Sequence, residues 1–369
     1  MKTLHAIQAY RGFAAVLVVL HHTNFIMSKY SLETPLSQIF HFGHAGVEFF
    51  FVLSGFILYH TYCNGNKSRD IKSFLKNRFI RIYPLYWTVT LVLLPVWLLR
   101  PSFGEPYHRN LSGIITSLLL MPQEHPPHVI VAWSLTHEIL FYLFFSLIIM
   151  NKKTGLTVSG LIFTLTVFFN IFSNTPDFPS VFLLSKYNTL FLLGILTGLL
   201  TEKIKSGIRT NQADILRYSA FFAGNALFII LGLLDNTSSL EGKYTWFFGI
   251  ASAMIIIGSC SNGINSFLKK RQIALFVGSA SYSIYLIHIF IIEFFCKRIK
   301  STNMSELIPN DMTLLLLALS GVLGGSFLYV MFEKRVLAWM KTKSISTRNI
   351  NNENLSYAGL KPIKYDETF

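Results

Sequence analysis

Residues 7–27 read IQAYRGFAAVLVVLHHTNFIM. A helix rises about 1.5 Å per residue, and about 20 mainly apolar residues cross the hydrocarbon core of a bilayer. This stretch has that length and character. It follows Met1 and Lys2, and no small-residue cleavage site comes after it, so it reads as an uncleaved first span. Two ionisable residues lie eleven positions apart inside it, Arg11 and His22. At about 100° per residue that is three turns plus about 20°, so both share one helix face, separated by about 16 Å along the axis. His21 points about 80° away from that face. The spacing therefore favours His22 over His21 as the residue working with Arg11.

The same pattern recurs along the chain. Ten apolar stretches are predicted to span: 7–27, 43–63, 79–99, 133–150, 156–173, 180–200, 216–234, 244–260, 273–295 and 312–332. The stretch 111–121 is too short and is read as an interfacial or re-entrant helix. Of the 369 residues, 52% are hydrophobic and only 14% charged, against roughly a quarter charged in an ordinary soluble protein. Mean hydropathy is +0.47. The predicted fold is all-α, a polytopic membrane bundle of about ten helices over residues 1–340, with a polar cytoplasmic tail over 341–369. Cys63, Cys260 and Cys296 form no CxxC or metal-ligand spacing and read as small buried hydrophobes. No metal is expected.

The net charge of +14 accompanies no nucleic-acid-binding pattern, so it is assigned to the membrane rather than to RNA or DNA. Lys67, Arg69, Lys72, Lys76 and Arg78 crowd the 64–78 loop. Lys203, Lys205 and Arg209 occupy 201–215, and Lys269, Lys270 and Arg271 occupy 261–272. With ten spans these loops share one side, which the positive-inside rule makes cytoplasmic, together with both termini. The loop 296–311, carrying Lys297, Arg298 and Lys300, runs against this pattern.

Ionisable groups within spans are costly and therefore functional candidates. Glu48 and Glu138 enter their spans from the outer side at depths similar to that of His22. A histidine beside a carboxylate suits general-base chemistry, because the carboxylate fixes the tautomer and stabilises the imidazolium. Arg78 and Arg81 open the third span and, with Arg11, form a cationic mouth suited to phosphates. A long donor with phosphates at one end and a thioester at the other, acyl-coenzyme A, fits along the first helix. Other readings stand beside these. Arg78 and Arg81 taken alone are ordinary positive-inside residues, and the glutamates pair equally well with His or Arg to hold helices together. His41, His44, His125 and His128 are expected to be solvated in outer loops.

Five stretches together resemble acyltransferase family 3, the bacterial membrane O-acyltransferases of exopolysaccharide and O-antigen. IQAYRGFAAVLVVLHH carries Arg11 and His22 where the family has its Arg-to-His signature. HAGVEFFFVLSGFIL (44–58) resembles the second-helix motif, with Glu48 where Asp is usual. RFIRIYPLYW (78–87) matches the entry to the third helix. AWSLTHEILFY (132–142) resembles W-[ST]-L-x-x-E-x-x-F-Y, with Trp133, Glu138 and Tyr142 in register. GSASYSIYLIH (278–288) resembles the late SYSLYLxH motif, with Tyr282, Tyr285 and His288. The resemblance covers roughly 5–335.

It implies an O-acyltransferase of the bacterial inner membrane that takes an acyl group, acetyl above all, from acetyl-CoA or another acyl-CoA on the cytoplasmic side. The acceptor would be a hydroxyl of a cell-surface or lipid-linked glycan. Membrane lipid would surround the bundle, and proteins of polysaccharide assembly or export would be its partners. On this reading His22 is general base or transient acyl carrier, Glu48 or Glu138 orients it, and Arg11, Arg78 and Arg81 hold the donor phosphates. The family's appended hydrolase-like domain is not expected in this chain. Two rival readings are a transporter or flippase using the same residues as a proton relay, and a non-catalytic export factor.

Overall fold

The computed structural model describes residues 4–63, 70–99, 105–172, 177–235, 242–302, 304–340 and 342. Lys67 and Arg69 of the basic 64–78 loop, and the 341–369 tail apart from Thr342, lie outside the described residues. Among the described residues ten long helices form the bundle: α1 His5–Lys29, α2 Ala45–Tyr62, α3 Ile71–Leu99, α4 Trp133–Met150, α5 Lys152–Phe172, α6 Lys186–Gly207, α7 Thr210–Asp235, α8 Thr245–Ser259, α9 Gln272–Ser301 and α10 Asn310–Leu328. In hydrocarbon each backbone N–H and C=O must be satisfied within its own segment, so apolar runs of this length become helices. Among the described residues there is no strand.

Eight segments, those containing α2–α7, α9 and α10, are long and apolar enough to cross a membrane. A ninth is α8 with the short helix Asn262–Lys269, bent by 85° between them. Helix α1 is not among these segments; it carries Gln8, Arg11, His21, His22 and Asn24. It packs against α9, α10 and α2, so its polar face meets protein.

Close helix contact is set by small residues. A Cβ on Gly278 of α9 would lie 1.8 Å from the Gln8 carbonyl oxygen of α1, and one on Gly12 would lie 2.9 Å from the Gly278 nitrogen. Glycine at both positions brings the two backbones together just below Arg11 and Ser281, as small residues do between membrane helices. Gly55 and Gly194 do the same for α2 and α6.

One boundary differs from expectation. Helix α3 starts at Ile71, so Arg78 and Arg81 do not open it but lie about 10 and 15 Å inside it, because the mixed run IKSFLKNR (71–78) extends the helix, with Phe74 buried in the core. The stretch predicted as interfacial or re-entrant is a short helix, Leu111–Leu118, running beside α3. Tyr83, Tyr86 and Trp87 donate hydrogen bonds to the carbonyls of Leu119 (3.0 Å), Ser117 (2.7 Å) and Leu118 (2.8 Å). The preceding turn stacks His108 on Trp97, ten residues beyond Trp87 on α3. The segment therefore dips about 15 Å along α3, and the aromatic YPLYW run is what holds its tip.

Candidate active site

Helix α1 presents His22, and α9 brings His288 to it: His22 Nδ1 and His288 Nε2 are 2.9 Å apart. The proton positions follow from the outer contact. His288 Nδ1 lies 3.0 Å from the Ile284 carbonyl oxygen, which only accepts, so this nitrogen carries the hydrogen. In the neutral ring Nε2 then accepts, and His22 Nδ1–H donates to it. His22 Nε2 is left with its lone pair. His288 is fully buried, so the pair is fixed by packing as well as by hydrogen bonds.

His22 lies in the wall of a cavity of about 1070 Å³ at the end of the bundle where α1 stops. Trp133, Thr136 and His137 from α4 and the 121–127 segment after the re-entrant helix form other walls. His21 reaches the same cavity, but its Nδ1 is bound to the His41 carbonyl at 2.6 Å.

The expected orienting carboxylates go elsewhere. The side chain that His22 pairs with is His288, and neither Glu48 nor Glu138, and the Val18 carbonyl lies one turn before it on α1. Glu48, 1% exposed, faces His44 Nδ1 at 3.4 Å, and His44 Nε2 binds Asp235 of α7 at 2.8 Å. The reason is azimuth. Gly46 sits against the Ala14 carbonyl of α1, and with that face of α2 on α1, Glu48 is left beside the His44 ring one turn before it. His44 and His128, expected in solvent, are half-buried and buried respectively. Glu138 accepts from the Tyr142 hydroxyl and from Ser54 Oγ (3.3 Å).

Arg11, Arg78 and Arg81 occupy the half of the bundle where α1 begins. Arg11 donates from Nη2 to Ser281 Oγ at 3.0 Å. Seven residues of α9 separate Ser281 from His288, a rise of about 10 Å. Arg81 is close enough to repel Arg11, and Glu333 and Glu138 offset that charge. The Arg78 guanidinium lies over the Tyr142 ring at 5.7 Å, and its Nε is buried without a hydrogen-bond partner among the described residues. Tyr282 donates to the Ile82 carbonyl beside Arg81 (2.8 Å), and Tyr285 donates to the Val131 carbonyl (2.8 Å) and lies 2.7 Å from Ser134 Oγ. The late tyrosines thus tie α9 to α3 and α4.

Sequence reasoning passed over Ser281, Asp235, Glu333 and His137. Asp235 falls one residue beyond the predicted span 216–234, where a charge reads as loop. Glu333 accepts from Ser283 (2.5 Å) out of a π-helical turn, Tyr329–Glu333, at the end of α10. Such turns mark functional positions in helices, but hydropathy does not show them.

The Acyltransferase domain family matches residues 4–331. Exopolysaccharide production protein ExoZ of Rhizobium meliloti (strain 1021) is 28% identical over 311 residues, covering 81% of this chain and 90% of its own. Protein SACOL0978 of Staphylococcus aureus (strain COL), named as a candidate O-acetyltransferase, is 24% identical over 334 residues, 80% of this chain and 51% of its own, so the chain spans about half of that relative. Acyltransferase MdmB of Streptomyces mycarofaciens is 32% identical over 155 residues, 39% of this chain and 38% of its own. No solved structure matches. A match over nearly the whole chain, on a bundle of about ten membrane helices, makes an enzyme of what the rival readings made a transporter or an export factor: the chain belongs to acyltransferase family 3 and is a multi-pass membrane acyltransferase.

Proposed function

We propose that the protein moves an acetyl group from acetyl-CoA, bound from the cytoplasm of a bacterial inner membrane, to a hydroxyl of a cell-surface or lipid-linked glycan. Both termini are cytoplasmic in this reading, which rests on the basic loops. The observation that carries it is the His22–His288 pair, which leaves His22 Nε2 bare at the wall of the cavity.

The acceptor hydroxyl gives its proton to His22 Nε2 as its oxygen attacks the thioester carbonyl carbon. The imidazolium is held through Nδ1–H to His288, the place a carboxylate takes in hydrolase triads. The C–S bond then breaks, and the thiolate takes the proton from His22 to leave as coenzyme A. Arg11, Arg78 and Arg81 hold the donor phosphates, a role their shared end of the bundle supports. Glu138 positions Arg78 through Tyr142. Glu48 belongs to the His44–Asp235 cluster and acts on the packing of α2. The relative named for exopolysaccharide production supports a glycan acceptor.

Purified protein should release coenzyme A from acetyl-CoA, and His22→Ala should not. Cells lacking the gene should lose an alkali-labile acetyl ester from their surface glycan. Release of coenzyme A at the parental rate by His22→Ala would overturn the assignment.

A further inference from the structure

His137 stands in the motif segment WSLTHEILFY at a position that the motif leaves open, and the mechanism above does not use it. Its surroundings are nonetheless fully specified. The ring is 7% exposed, stacks on Phe182 at 4.2 Å between centroids, and meets the edges of Trp133 and Phe51 at 5.9 and 6.3 Å. Asn188 fixes its tautomer. The Asn188 amide nitrogen donates to the carbonyls of Phe182 (2.8 Å) and Leu183 (3.0 Å), which turns Oδ1 toward His137 Nδ1 at 2.9 Å. An amide oxygen only accepts, so the hydrogen is on Nδ1 and the neutral ring offers Nε2 as an acceptor. Among the described residues no protein group donates to that nitrogen, and His137 lines the same cavity as His22.

The cavity therefore holds three histidines with Nδ1 engaged by protein and no protein donor to Nε2 among the described residues: His21 through the His41 carbonyl, His22 through His288 and His137 through Asn188. Stacking on Phe182 and the edges of Trp133 and Phe51 hold the His137 ring rigidly, so its acceptor is preorganised for a donor on a ligand in the cavity. A hydroxyl is the donor that matches a neutral imidazole beside aromatic faces. We infer that His137 is a binding residue for the acceptor, which is a polyhydroxylated ring presenting one hydroxyl to His22 and a second, donating hydroxyl to His137. This rests on the acyltransferase reading above and adds the substrate feature that the cavity selects. A site built to bind a substrate hydroxyl discriminates strongly against the analogue lacking it, because its own polar group is then left unmatched.

The test uses the purified full-length protein with labelled acetyl-CoA, and two acceptors: water, and octyl glycosides of glucose, galactose and mannose with their single-deoxy analogues. The quantity read is the ratio of acetyl ester formed to acetate released. His137→Phe should lower that ratio at least tenfold. His137→Gln, whose amide restores both a donor and an acceptor, should recover part of it. One deoxy analogue should cost the parent at least tenfold and cost His137→Phe nothing further. An unchanged ratio in His137→Phe, or ester and acetate falling together, overturns the role of His137. A parent that hydrolyses acetyl-CoA but acetylates no glycoside overturns the hydroxylated ring. A parent that consumes no acetyl-CoA at all removes the acyltransferase reading itself, and is thereby distinguishable from the other outcomes.

Discussion

His22 donates through Nδ1 to Nε2 of His288 across 2.9 Å, joining two residues 266 positions apart on the first and ninth helices. The bond sets which nitrogen of His22 faces the cavity. His288→Ala should therefore lower kcat by about 10²- to 10⁴-fold, the range of a positioned general base, with little change in acetyl-CoA affinity. Stopped-flow or steady-state release of coenzyme A measures this. Near-parental kcat in His288→Ala would show that His22 needs no such partner.

His21→Ala should keep activity within about tenfold of the parent, while His22→Ala loses the roughly 10²- to 10⁴-fold contribution of the base. Ester content of the surface glycan, at equal protein level, compares the two. The opposite order would transfer the base to His21.

The helices were legible because a bilayer admits few alternatives: apolar runs of about 20 residues must be helical. The shared face of Arg11 and His22 was legible because both lie on one helix. The partner of His22 was not. Sequence spacing gives depth along a helix but not the rotation of one helix against another, so Glu48 shared the estimated depth of His22 while its side chain faces His44. His288 was visible as a motif position, but the Gly12–Gly278 crossing that brings its helix against α1 was not. Asp235 and His137 were missed for local reasons, the one at a span boundary and the other beside a motif glutamate that drew the reading.

That crossing is itself testable. Gly278→Leu places side-chain atoms where the Gln8 backbone now lies. Overpacking of this kind costs about 1–3 kcal/mol. It also separates α1 from α9, and with them His22 from His288. A lowered melting temperature in detergent together with lost activity is expected. Full activity in a stable Gly278→Leu protein would mean that the two helices need not touch.

Arg→Lys changes at 78 and 81 keep the positive charge but lose the guanidinium fork. Loss of a charge-assisted phosphate contact costs about 1.5–3 kcal/mol, or roughly ten- to a hundredfold in affinity. Titration with acetyl-CoA should show that weakening, while reporter fusions near Lys72 and Pro106 still read cytoplasmic and outside. Parental affinity in both variants would leave the two arginines as topology signals and Arg11 as the donor's anchor.

Glu48 separates two roles for the buried carboxylates. It is 1% exposed, Asp235 is 2% exposed, and His44 stands between them. Taking away one member of a buried charge cluster leaves the rest uncompensated, at about 3–5 kcal/mol. His44→Leu strands Glu48 and leaves Asp235 only the longer 4.0 Å contact to His41, and should incur that cost in unfolding measurements. Glu48→Gln removes one negative charge and leaves Asp235 with His44 at 2.8 Å and His41 at 4.0 Å, so the His44–Asp235 pair survives and the cost should be much smaller. If Glu48 acts on packing alone, Glu48→Gln should also keep kcat within about tenfold of the parent, well short of the roughly 10²- to 10⁴-fold that loss of general-base catalysis brings. A stable Glu48→Gln protein with kcat reduced a hundredfold or more would return Glu48 to the chemistry at His22.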